Sequence, residues 1–258
     1  MRQSSVRTSN PAWRGAGFQT LQPGSPYDAT FTSRDARMTM EDVVVHTVGV
    51  FLVALVAAGA GWMLIDGSGG GAVMLAGLGA FALSFAIGFG RVTRPLLVIL
   101  FAALEGFALG GISHIFNDRS HGIVIQALLG TAVIFAVMLV LHRSGKLRAT
   151  PRMTKIVTAT IFGVIALSLI NFAMVAFGSN GIGVFNPNNS SPFSILFSLA
   201  ILVVASLMFT LDFAYIDSAI AAGVPKREAW RASYGLLVSF VWVYLELLRL
   251  LAKLNSNR

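Results

Sequence analysis

Leu211-Asp212-Phe213-Ala214-Tyr215-Ile216-Asp217 and Tyr244-Leu245-Glu246-Leu247-Leu248-Arg249 are the two stretches that decide how this chain is read. Each lies inside a long apolar run, Phe193–Ala221 and Ala229–Ala252, and the runs are joined by Val224-Pro225-Lys226-Arg227-Glu228. A bilayer's hydrocarbon core is about 30 Å thick, which takes ~20 helical residues to cross. Both runs are long enough, yet both carry acids. A carboxylate at that depth costs ~2.5–3.5 kcal/mol on insertion scales, and it marks an ion or proton path or is paired inside the protein. These acids need a housing, and the rest of the sequence reads as one.

Only 12% of the 258 residues are charged and 55% are hydrophobic. Soluble domains run about 25% charged. The mean hydropathy is +0.76. The apolar runs are continuous rather than alternating and too long for ~10-residue spanning strands, so a β-barrel is excluded. The sequence therefore predicts an all-α integral membrane protein. Seven spans are expected, at about 42–64, 72–89, 95–116, 121–141, 153–177, 193–221 and 229–252, within a membrane domain of residues 42–254. Residues 1–41, rich in Ser, Arg, Thr, Gly and Pro with scattered Trp13, Phe18, Tyr27 and Phe31, are expected to form a disordered basic tail. The first apolar run follows that tail and exceeds a signal peptide's h-region, so no cleavable signal is expected.

The net charge of +8 resides in tails and connectors, which argues for membrane orientation rather than nucleic-acid binding. The fourth connector alone holds Arg143, Lys146, Arg148, Arg152 and Lys155 without an acid. With the N-terminus in the cytoplasm, fifteen of the nineteen Lys and Arg fall on the inner side. Arg119 and the terminal Arg249, Lys253 and Arg258 fall outside; the basic C-terminus is a mild violation that a re-entrant or short final helix would remove. The chain has no cysteine, so disulfides and thiolate metal sites are absent. No metal motif, nucleophile elbow or Walker-type loop is present, and Ser113-His114 are neighbours that diverge on a helix, so no enzymatic activity is expected.

Glu105 lies about sixteen ångströms into the third span, near mid-membrane, where it must be neutral, paired or wet. Gly106 and Gly110 share a face of the same helix, and Ala57-Ala58-Gly59-Ala60-Gly61 offers another small surface for close approach. Asp212 is expected toward the inner end of span six, ~28 Å from its start, and Glu246 toward the outer end of span seven. The two acids should not touch. Arg91 or Arg94 is a possible inner-side latch for Asp212. Asp217 reads as a solvated helix-end charge. Glu246 either pairs with Arg249, three residues on, or serves the path. His46 reads as structural, and Asn171 as an interhelical hydrogen bonder.

Glu105-Gly106-Phe107-Ala108-Leu109-Gly110 resembles a third-helix segment of the Bax inhibitor family, the transmembrane Bax inhibitor motif proteins. Leu211-Asp212-Phe213-Ala214-Tyr215-Ile216 is similar to that family's sixth-helix motif, and Val238–Arg249 to its last helix. The resemblance spans about Met40 to Ala252 and points to a bacterial branch in the plasma membrane. It implies six helices around a central seventh and a pH-sensitive calcium leak, with calcium as the permeant species and no cofactor. It also implies an acid pair between helices six and seven, of which Asp212 matches the first member while Ser239 stands at the second. Glu246, two turns beyond Ser239, keeps an acid on the same face. Asp212, Glu105, Glu246 and Ser239 are thus the expected path residues, with Asp212 and Glu246 as transient calcium ligands. The expected partners are the lipid bilayer, calcium and protons. A proton-coupled small-solute transporter is one alternative. A non-conducting membrane protein that regulates a protease or stress response through a membrane-protein partner is another.

Overall fold

The computed structural model describes residues 37–64, 70–89, 94–179 and 181–256, so the N-terminal tail through residue 36 and Arg91 lie outside the described residues. Among the described residues seven α-helices form: α1 Met40–Leu64, α2 Gly70–Phe89, α3 Pro95–Arg119, α4 Ile123–Arg143, α5 Pro151–Ala176, α6 Pro192–Ala221 and α7 Ala229–Asn255. All seven are long and apolar enough to cross a membrane, and the described residues contain no strand.

Local chemistry sets the helix starts. Thr39 and Asp42 cap α1 reciprocally: Thr39 N–H donates to Asp42 Oδ2 (3.1 Å) and Asp42 N–H to Thr39 Oγ1 (3.2 Å). Thr150 and Ser191 accept from Met153 N–H and Ser194 N–H at the starts of α5 and α6, each followed by a proline at the first helical position. Gly122 precedes α4 with a φ of 82°, a left-handed conformation that glycine adopts without strain.

α7 lies in the middle. It packs along α6, α1, α4 and α3, and touches α2 where the Tyr234 hydroxyl donates to the Ser84 carbonyl (3.4 Å). α5 reaches the bundle mainly through α6, with nearly all its surface turned outward. The outward faces of α1, α4 and α5 carry exposed Val, Leu, Ile and Phe side chains, as lipid contact requires. Lipid tails are as apolar as leucine, so packing and polar bonds must hold the helices together. Gly106 and Gly110 show how. A Cβ on either would fall on the α1 backbone at Ala54 or Ala58, and a Cβ on Gly61 would strike the Phe107 carbonyl. Small residues on both helices let the α1 and α3 backbones meet.

The segment before α1 is tied down. Arg37 forms an antiparallel bridge with Pro225, Met38 N–H donates to the Val224 carbonyl (2.8 Å), and Lys226 pairs with Asp42 (2.7 Å). Residues 37–41, expected to belong to the tail, are therefore held against the α6–α7 connector. This end of the bundle, which also carries the α4–α5 connector, is called here the basic end. The opposite end carries the loop from Gly178 to Ser191.

α7 neither re-enters nor stops short. It runs unbroken to Asn255, and its two basic residues at the far end are consumed internally, as described next.

Candidate functional site

The α6–α7 hairpin supplies the site. Asp212 is nine residues from the end of α6 and Ser239 ten residues into α7, so both lie about 14–15 Å from the basic end. The Ser239 hydroxyl donates to Asp212 Oδ2 at 2.5 Å. Ser239 is fully buried. A Cβ on Gly235, one turn earlier, would sit 3.3 Å from Asp212 Oδ1, so that glycine leaves room for the carboxylate. Asp212 thus lies ~30 Å from the start of the 30-residue α6 and nearer its basic end, the end expected from the sequence.

Arg94 does not reach Asp212. It is exposed just ahead of Pro95 at the basic end, and Asp212 forms no ion pair among the described residues. An arginine at the mouth is too far along the helix axis to meet an acid three turns inside. The other half of the expected latch, Arg91, lies outside the described residues.

Two turns beyond Ser239, Glu246 is 1% exposed. Arg249, on the same helix, donates to Glu246 Oε2, while Glu246 Oε1 has no hydrogen-bond partner among the described residues. Arg249 in turn lies over the Phe185 ring, 5.5 Å from its centroid. The i, i+3 pairing is the one foreseen, with Glu246 buried and Arg249 partly exposed. Asp212 and Glu246 do not meet: Ser239 and Glu246 are seven residues, ~10 Å, apart on one face. They cannot hold one ion jointly, and no group of three His, Asp or Glu able to hold a metal occurs among the described residues. A cation would meet the two acids in turn.

Glu105 stands on α3 near mid-helix, one turn beyond Phe101. The Phe101 ring packs edge-on against Tyr234 of α7 (5.0 Å), and the Glu105 carboxylate lies within electrostatic range of the Tyr234 hydroxyl. Further along, the Ser113 and Tyr244 hydroxyls of α3 and α7 are 2.6 Å apart. His114 instead packs on Trp62 and approaches Asp118 (3.2 Å), so Ser113 and His114 serve separate partners. Asp217 meets His142 of α4 across the surface (Oδ2 to Nε2, 2.8 Å) rather than standing alone. His46 Nδ1 contacts the Asp42 carbonyl (2.6 Å) and its ring abuts Trp230. Asn171 accepts from Ile182 N–H (2.6 Å), a contact to a loop rather than to a helix.

Sequence reasoning missed the role of Lys253. It is fully buried and donates to the Val184 carbonyl (2.7 Å), the Ser194 carbonyl (3.2 Å) and Ser198 Oγ (2.8 Å). The signal was present as spacing: Ser239, Glu246 and Lys253 recur every seven residues on α7.

No curated protein matches the chain. A family model described as Bax inhibitor 1 like matches residues 4–256. That match takes in every described helix, Asp212 and Glu246 included, and by it the chain belongs to the Bax inhibitor 1 like family.

Proposed function

We propose that the protein is a cation leak of the Bax inhibitor type, with calcium as the permeant ion and Asp212 as the proton-responsive element. It works without catalysis and without a cofactor. The observation that carries this reading is the Asp212–Ser239 bond between α6 and the central helix. A hydrogen bond to an ionised carboxylate is roughly twice as strong as one between neutral groups. Protonating Asp212 therefore weakens the link between α6 and α7, and acid favours their separation. Ser239 cannot share a charge with Asp212 as a second acid would. The response accordingly follows a single carboxylate rather than a coupled pair.

Glu105 of α3 and Glu246 of α7 supply further carboxylates. Calcium takes oxygen ligands, and acids met one at a time suit passage better than tight retention. Seven unbroken helices favour a leak over a transporter built on interrupted helices. The clustering of Arg143, Lys146, Arg148, Arg152, Lys155, Lys226 and Arg227 at one end supports placing that end, with the N-terminus, in the cytoplasm of a bacterial cell.

The test is calcium entry into liposomes reconstituted with purified protein, against protein-free liposomes. We expect entry that rises as the pH falls from 8 to 5. No entry above the protein-free rate at any pH would refute the leak.

A further inference from the structure

The end of the bundle opposite the basic connectors is closed by a short strap. Residues 182–188, including a turn of 3-10 helix at Gly183–Phe185, cross between α5 and α6. α7 holds the strap at two points. Arg249 lies beneath Phe185, and one turn later the Lys253 ammonium donates to Val184 of the strap and to Ser194 and Ser198 of α6. Lysine is almost never fully buried unless its charge is answered, and here three oxygens from two segments converge on it.

The register of the hairpin shows what lies behind this fastening. Counting by sevens from Ser239 on α7 reaches Glu246 and then Lys253, and counting back by sevens from Asp212 on α6 reaches Ala205 and then Ser198. Asp212 is bonded to Ser239 and Ser198 to Lys253, so the two outer rungs fix the register. The middle rung sets Glu246 at the level of Ala205, which has no polar side chain to offer. Glu246 Oε1 is accordingly buried without a partner. Cavities of about 420 and 310 Å³ flank Pro187 and Asn188 of the strap, and Arg119 lines both. Room for water thus reaches the strap, and Glu246, with its unpaired Oε1, stands behind it.

We propose that Lys253 is the closing residue of this end: its ammonium occupies the oxygen-lined position at the mouth of the α6–α7 seam and bars hydrated cations from Glu246. The proposal rests on the leak reading for its physiological sense, but the closure is a structural property that can be tested apart from it. The bound charge is part of the bar. A cation approaching Glu246 from this end meets Arg119, Lys253 and Arg249 before the carboxylate, and only Glu246 among them attracts it. Displacing the Lys253 head group removes both the plug and the fastening to Val184.

The absence of native cysteine makes the test direct. Ala205→Cys places one thiol at the middle rung, and its rate of modification by a small, permanently cationic methanethiosulfonate is measured in nanodiscs. We expect slow modification in the Ala205→Cys parent, at least a tenfold faster rate when Lys253→Met is added, and about a threefold faster rate with the milder Ser198→Ala. Lys226→Met, at the basic end, should leave the parent rate unchanged. Rates within twofold of the parent for both Lys253→Met and Ser198→Ala would overturn the proposal, as would a rise with Lys226→Met alone. If Lys253→Met fails to fold, the Ser198→Ala comparison decides. Calcium entry through the same variants separates the two readings. Faster modification without calcium entry keeps the closure and removes the leak, whereas calcium entry with unchanged modification removes the closure.

Discussion

Asp212 and Glu246 are acids of one helical hairpin, about 10 Å apart along it, and they are held in opposite ways. Asp212 is bonded across the helix–helix seam, by a neutral hydroxyl of the partner helix. Glu246 is bonded within its own helix, by a cation, and keeps one oxygen idle. The first arrangement makes the acid's charge state a property of the α6–α7 contact. The second makes it a property of α7 alone, with the strap as its cover. A carboxylate can gate a seam only if the seam holds it, and for the proposed leak that difference favours Asp212 as the gate and Glu246 as a waiting position on the path.

The sharpest way to break the contrast is to remove the cation. Arg249→Met leaves Glu246 buried and unpaired, and removing one partner of a buried ion pair costs about 3–5 kcal/mol. Thermal unfolding in detergent should show that loss, and adding Glu246→Gln should restore most of it. Recovery of none would mean that Arg249 acts through Phe185 instead. A smaller loss is expected from Ser239→Ala, which strips Asp212 of its bonded neighbour at a cost of about 1–3 kcal/mol. Here Asp212→Asn should add little further loss, because the two act through one bond. Fully additive losses in that double-mutant cycle would show that they are not coupled. The smallest effect is a gain. Ala205→Ser gives the middle rung the hydroxyl it lacks, so Glu246 comes to resemble Asp212, and membrane hydrogen bonds of this kind average about 0.6 kcal/mol. An unchanged or lowered unfolding temperature would show that Ala205 does not face Glu246.

The helices were legible in the sequence because bilayer thickness forces long apolar runs, and caps such as Thr39 with Asp42 and prolines such as Pro95, Pro151 and Pro192 punctuate them. The close-contact face of Gly106 and Gly110 was legible too, since they repeat on one side of α3, but that α1 is the helix meeting it was not. What stayed hidden depended on where helices sit along one another. Counting along an apolar run gives each acid a distance from a helix end but not its level against the neighbouring helices. Arg94 looked like a neighbour of Asp212 only because both belonged to the same side. Lys253 looked like a misplaced terminal charge, because composition does not show that three oxygens of α6 and the strap converge on it. The heptad spacing of Ser239, Glu246 and Lys253 carried that information, but it gains meaning only once the bonds of Ser239 and Lys253 set the register.

The measurement that bears most directly on the central claim is calcium entry into reconstituted liposomes from pH 8 to pH 5, comparing the native chain with Asp212→Asn. Asparagine keeps the shape and a hydrogen bond to Ser239 but cannot gain or lose the charge. If Asp212 is the proton-responsive element, the native rate rises as the pH falls and the Asp212→Asn rate is flat across the range. A variant that conducts with the native pH profile would contradict the account.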